Sequence, residues 1–127
     1  MILCTKRNKR EGEFLKKQEW LAQVKRGILE YSILLLVDKK ATYGYDLISA
    51  LNKWEVLSTS EGTIYPLLRR LEKDKLIESS WRETVPGVPP RKYYSLTVEG
   101  IKMLKTMNCE WEKLISSINQ IKTCEEM

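Results

Sequence analysis

Ser58-Thr59-Ser60-Glu61-Gly62-Thr63-Ile64-Tyr65-Pro66-Leu67-Leu68-Arg69-Arg70-Leu71-Glu72-Lys73 sets Ile64, Leu67, Leu68 and Leu71 at i, i+3, i+4 and i+7. That is the spacing of one buried stripe on an α-helix. The same pitch gathers Gly62, Thr63, Pro66, Arg69, Arg70 and Lys73 on the opposite face, with three cations and no acid. This face is the expected contact with DNA; the competing reading is the solvated charged face of an ordinary amphipathic helix. Ser58 followed by Glu61 fits a capping box, and Ser60 offers a second N-cap. Pro66 lies past the first turn, where it removes a backbone hydrogen bond and crowds the carbonyl of Gly62, so a bend or a loose first turn is expected. Gly62 would let the helix N-terminus, with its free N–H groups and positive dipole end, come close to a phosphate.

Upstream, a long helix is predicted from about Lys17 to Val37, with Trp20, Leu21, Val24, Ile28, Tyr31 and Leu35 on a broad face. Its second half, Ile33 to Val37, is apolar all round and should form the centre of the core. Thr42 reads as an N-cap for a shorter helix from Tyr43 to about Trp54, in which Gly44, Leu47, Ile48 and Leu51 repeat the helical spacing. Helix, helix, short turn and helix is the layout of a helix-turn-helix, whose last helix enters the major groove.

Downstream the period changes to 2. Leu76 to Glu83 and Tyr93 to Leu96 are β-prone runs that should pair as a hairpin, joined by Thr84 to Pro90, where three prolines cannot donate to a ladder. A hairpin in this place is a wing. Arg91 and Lys92 at the base of that loop, beside the tip of the wing, suit phosphates flanking the recognition helix, or else protect an edge strand by exposed charge. Thr97 caps a last helix, with Glu99 in its first turn. In that helix Leu104, Met107, Trp111, Leu114, Ile118 and Ile121 alternate spacings of three and four, a coiled-coil seam. The economical partner is a second copy of the chain, giving a two-fold homodimer; the alternative is that the seam folds back onto the long first helix.

Composition bounds the chemistry. The chain has 127 residues and 43% apolar residues, enough for one domain, and its net charge of +5 suits a polyanion such as double-stranded DNA. There is no histidine, which excludes His-based triads and His-containing zinc sites. Cys4, Cys109 and Cys124 are odd in number and far apart, so they read as reduced thiols of a cytoplasmic protein. The basic cluster Lys6 to Arg10 follows too short an apolar run for a secretory signal, and the longest apolar run, Ile28 to Val37, is too short to span a membrane. Residues 1–16 are polar and basic and are expected to form a flexible arm. No paired acid, base and nucleophile points to an enzyme, and no cofactor or metal site is expected. A dimeric DNA-binding regulator and a winged-helix protein-interaction module are the two readings that stand.

Three ordered motifs make the first reading specific. Tyr43-Gly44-Tyr45-Asp46-Leu47, then Glu61 to Glu72, then Pro90-Arg91-Lys92-Tyr93-Tyr94 with Leu96-Thr97 and Glu99-Gly100, closely resemble the PadR family of bacterial transcriptional regulators. The resemblance runs from about residue 25 to the end, and the single C-terminal helix resembles the smaller branch, which includes multidrug-responsive repressors. It implies a mainly α fold with a small β-hairpin: a winged helix-turn-helix over 17–96 and a C-terminal dimerisation helix over 97–127. It also implies repression from a palindromic promoter site. By position it puts Ser60, Thr63, Tyr65, Pro66, Arg69 and Arg70 on the recognition helix, Tyr43 on the helix before it, and Arg91 and Lys92 on the wing. It puts Trp111 where drug-responsive members present a tryptophan to aromatic ligands across the dimer pore. Trp111 with Met107 and Leu114 is thus an expected effector wall for a flat aromatic or lipophilic cation, with Glu110 or Glu112 offsetting its charge; otherwise Trp111 is a large core knob. The basic arm departs from the short starts of that family.

Overall fold

The computed structural model describes residues 7–125. The elements run α1 (Arg7–Lys39), β1 (Thr42–Tyr43), α2 (Gly44–Leu51), a 3₁₀ turn (Glu55–Leu57), α3 (Glu61–Lys73), β2 (Ile77–Arg82), β3 (Arg91–Leu96) and α4 (Val98–Thr123). The protein is mainly helical, with one antiparallel sheet of order β1-β3-β2. Ile33, Leu34 and Val37 of α1, Leu47, Ile48 and Leu51 of α2, and Ile64, Leu68 and Leu71 of α3 form one core with Ile77, Tyr94 and Leu104. The stripes expected for α2 and α3 are the buried faces, except that Leu67 is only half-buried. On α1 the buried residues are Leu29, Ile33, Leu34 and Val37, whereas on the expected broad face Leu21, Val24, Ile28, Tyr31 and Leu35 are half-buried and Trp20 is exposed.

α1 begins at Arg7, and not at about Lys17 behind a flexible arm over 1–16. The expectation of an arm rests on the lack of anything for it to bury. Extending a helix that already exists, however, costs no new nucleus, and Glu11, Glu13, Leu15, Lys16 and Lys17 are good helix formers with no proline among them. Residues 1–6 of that expected arm lie outside the described residues.

β1 has no counterpart among the expected elements. Thr42 and Tyr43 pair with Tyr94 and Tyr93, making a third strand beside the wing. Thr42 consequently does not cap α2: its hydroxyl donates to the Lys40 carbonyl at 2.7 Å, and Tyr43 takes the N-cap position without a side-chain bond. The helix ends at Leu51, earlier than the expected Trp54; Asn52 is its C-cap and uses its side chain to organise the segment leading into α3. Its side-chain oxygen accepts from the Ser58 hydroxyl at 3.1 Å and the Thr59 amide at 2.9 Å. α3 starts too late in the chain for Ser58 to cap it: Ser60 is the N-cap, without a side-chain bond, and no capping box forms. α3 runs on through Pro66 as one helix.

α3 closes on Lys75, whose positive φ of 62° sets up the Leu76 N–H to Leu71 carbonyl bond of 3.0 Å. Thr97 does cap α4. Its hydroxyl accepts from Gly100 N at 2.9 Å while donating to the Lys75 carbonyl at 2.6 Å, and its amide donates to the Leu76 carbonyl at 3.1 Å. The first turn of α4 is thus locked onto the end of α3.

The α4 seam divides in two. Leu104, expected at a dimer interface, is 4% exposed inside its own chain's core, a correction that follows from how tightly the capped first turns of α4 are held. Met107 and Trp111 are half-buried, Trp111 facing Tyr31 of α1 with ring centroids 5.7 Å apart. Tyr31 also donates its hydroxyl to Asn108. Beyond that point Leu114 (56%), Ile118 (48%) and Ile121 (65%) are exposed, as are Phe14, Leu15 and Trp20 on α1. The seam folds back onto α1 for its first half and is left uncovered in its second.

Candidate nucleic-acid interface

Two concavities flank α3. On the side of the wing, Tyr43, Gly44, Tyr65, Arg69, Trp81, Arg91 and Lys92 surround a hollow of about 470 Å³. On the side of α1, Ser60, Gly62, Thr63, Pro66 and Arg70 line a groove of about 680 Å³ with Lys25 and Arg26. The face expected to meet DNA is therefore split: Tyr65 and Arg69 turn to the wing, and Ser60, Thr63, Pro66 and Arg70 turn to α1. Lys73, exposed in the last turn of α3, borders neither.

The wing hollow is built by aromatic stacking under cations. Tyr43 lies 6.2 Å from Tyr93 and 6.4 Å from Tyr45, centroid to centroid. The Arg91 guanidinium lies 4.9 Å over the Tyr43 ring, Arg82 lies 5.0 Å over Tyr93, and the Lys92 ammonium lies 5.5 Å from the Tyr94 ring centre. Such contacts orient the cations while leaving their hydrogen-bond donors available. β3 is the middle strand, but β1 is so short that it covers only Tyr93 and Tyr94, leaving Arg91 and Lys92 on an open edge. Lys92 also reaches Glu72 at 3.6 Å, and the Ser79 hydroxyl donates to the other Glu72 oxygen at 2.5 Å. Glu72 thus fastens α3 to both strands of the wing.

Gly44 explains the position of Tyr65. A Cβ at residue 44 would stand 3.0 Å from Tyr65 Cε1, so the absent side chain is what seats that ring. Burial, with smaller contributions from Glu61, Tyr43 and Tyr94, pushes the Tyr65 phenol above its ordinary value, so it remains a neutral hydroxyl able to donate.

On the other side, α1 is tied to α3. Arg70 Nη2 meets Glu30 Oε1 at 2.8 Å, and the Lys25 ammonium donates to the Ser58 carbonyl at 3.0 Å. Sequence reasoning does not find Lys25, Arg26, Glu30, Trp81 or Arg82. Their partners are distant in the chain, and the only local signal is the strand period that sets Arg82 opposite Arg91.

Trp111, Met107 and Leu114 come together against Val24, Gly27, Ile28 and Tyr31 of the same chain. They enclose an apolar cleft of about 350 Å³ with Glu110 at its rim. No group of three or more His, Cys, Asp or Glu among the described residues is arranged to hold a metal ion. No helix among them is long and apolar enough to cross a membrane.

The family model described as the transcriptional regulator PadR-like family matches residues 33–106. An uncharacterized protein of Lysinibacillus sphaericus is 32% identical over 94 residues, covering 70% of this chain and 83% of its own. A PadR family transcriptional regulator of Eggerthella lenta has a similar structure, with TM-score 0.78 and 28% identity over 91% of this chain and 99% of its own. A PadR-like transcriptional regulator of Bacillus cereus gives 0.73 and 38% over 81% of this chain and 99% of its own. A PadR-like transcription factor of Bacteroides fragilis gives 0.67 and 42%, over 79% and 95%.

Proposed function

The chain belongs to the PadR-like family of transcriptional regulators, and from that membership we propose that it is a homodimeric repressor of a palindromic promoter site, released by a small aromatic or lipophilic effector. Members of this family are DNA-binding regulators of transcription, not enzymes. The observation that carries the dimeric reading is the uncovered second half of α4, where Leu114 is exposed at the edge of the cleft shared with α1 and Ile118 and Ile121 are exposed further along the helix. A second copy of the chain would cover them, and its two-fold axis would present two α3 helices to two half-sites. In this division residues 17–96 read DNA and α4 dimerises, with the exposed head of α1 added to the apolar surface.

On DNA, α3 lies in the major groove, with Ser60, Thr63, Tyr65, Pro66, Arg69, Arg70 and Lys73 toward it. Tyr43, Arg91 and Lys92 hold flanking phosphates. The cation–ring contacts of Arg91 and Lys92 support that role. Binding to a duplex carrying the preferred palindrome should fall steeply and linearly on a plot of log affinity against log salt, since each neutralised phosphate releases counterions. The preference over random duplex should be at least about a thousandfold. Equal affinity for both duplexes would sink the repressor reading and leave the winged helix as a protein-interaction module.

The cleft under Trp111 supports the effector part of the reading: it is apolar, of a size that holds a small ligand, and has Glu110 in its lining, whose carboxylate pairs with Lys113 at 3.2 Å and would have to leave it to meet a cation. A ligand there weakens DNA binding only by favouring a dimer whose two recognition helices are wrongly spaced. Planar aromatic cations should quench tryptophan fluorescence in the wild type, and the quench should shrink in Trp111→Phe. Because Trp20, Trp54 and Trp81 also emit, the difference between the two proteins is the measurement. Quenching that persists unchanged in Trp111→Phe removes this residue from the effector site.

A further inference from the structure

Two adjacent arginines on α3 stand in unlike surroundings. Arg69 borders the wing hollow with Arg91 and Lys92 and forms no ion pair among the described residues. Arg70 is tied by one Nη to the Glu30 carboxylate at 2.8 Å, and its side chain is still 63% accessible. The Glu30 side chain is only 18% accessible and springs from the part of α1 between Leu29 and Ile33, both buried in the core. The anchor is thus fixed to the interior while the arginine faces outward.

The chemistry of such a pair is selective. A guanidinium is a rigid plane with five N–H donors, so holding one edge fixes the direction of the rest. The carboxylate cancels most of the charge that would draw the arginine to a phosphate, yet leaves four donors free to meet the acceptors of a base edge. An arginine already ordered on folding also loses less conformational freedom on binding than a free one. An unpaired arginine such as Arg69 has the opposite properties: full charge and no preset direction.

We infer that Glu30 is a positioning residue that aims Arg70 at a base pair, and that Arg70 rather than Arg69 carries base discrimination. This rests on the proposal that α3 is the recognition helix in the major groove. Charge and geometry can be separated, because Glu30→Gln and Glu30→Ala both remove the charge while only glutamine keeps an oxygen acceptor for the Arg70 N–H. The full-length protein and its Glu30→Gln, Glu30→Ala, Arg70→Ala and Arg69→Ala variants are equilibrated with a randomised duplex library. The retained fraction is sequenced, with a thermal melt of each variant alongside.

Arg70→Ala and Glu30→Ala are expected to lose about tenfold or more of the preference at one and the same base pair of each half-site. Glu30→Gln should retain most of it. Arg69→Ala should leave the preferred sequence unchanged, weaken all duplexes alike, and lower the salt slope by about one; Arg70→Ala should barely change that slope. If Arg70→Ala relaxes a position that Glu30→Ala leaves intact, Glu30 does not aim it, and the major-groove reading stands alone. Equal losses in Glu30→Gln and Glu30→Ala make charge the cause and also overturn the inference. If neither arginine variant changes the sequence profile or the affinity, the major-groove reading falls and the inference falls with it.

Discussion

Gly100→Ala is expected to destabilise the protein by about 3 kcal/mol or more and to lower its melting temperature by about 10 °C or more. A Cβ at this position would lie 1.9 Å from the Leu76 carbonyl oxygen and 3.1 Å from Leu96 Cδ2. The nearest obstacle is backbone, so no rotamer change relieves it. The same carbonyl accepts the Thr97 amide at 3.1 Å, so α4 cannot move off it without losing its cap geometry as well. Gly12→Ala is the matched control. It is also a helical glycine, nothing lies within 4 Å of its added Cβ, and alanine should there stabilise by up to about 1 kcal/mol. Two thermal melts of opposite sign are predicted from one chemical change; a Gly100→Ala protein melting within a degree or two of the wild type would show that α4 is not held where its first turn meets Leu76.

The close approach at Gly100 is not readable from the chain, although the cap three residues before it is. Thr97 announces itself through its neighbours in sequence, and so do the stripe of α3 and the alternation of the wing. The features that escape all depend on distant partners. β1 is two residues long and has no period; it exists because Tyr93 and Tyr94 offer it a ladder. Ser58 looks like a capping residue because Glu61 follows it at the right spacing, but the helix takes Ser60 as its N-cap and leaves the Ser58 hydroxyl donating to Asn52. At the candidate interface, periodicity gathers the cations of α3 correctly without showing that Arg70 is held from α1 by Glu30. The seam of α4 has the same limit: a heptad pattern marks an apolar face and does not say what covers it, so Leu104 and Leu114 read alike although only Leu104 is buried by its own chain.

That contrast sets up the second large effect. Leu114→Glu should leave the isolated protomer folded, since Leu114 is exposed in it, and should break the proposed dimer. By symmetry two carboxylates would enter one apolar interface without partners, at a cost of about 3–5 kcal/mol or more. This corresponds to roughly a hundredfold to several-thousandfold weaker association. Sedimentation at micromolar concentration should show a monomer, and affinity for the palindromic duplex should fall at least as far, because one half-site alone remains to be read. A Leu114→Glu protein that still sediments as a dimer would move the interface elsewhere; a wild-type monomer would remove it.

β3 pairs on one side with the residues that precede α2 and on the other with the strand that comes after α3. Both ends of the helix-turn-helix are therefore tied to one strand, and Glu72 adds a cross-tie from the recognition helix to the wing. In a dimer each protomer would then behave as one stiff jaw of a pair of calipers. On the proposed reading a signal would alter the gap between the jaws rather than their shape, at the place where α1 and α4 part company beyond Val24 and Trp111. For such an instrument the vocabulary of control is the distance between half-sites, and the letters within each half-site stay the same whether the jaws are set or sprung.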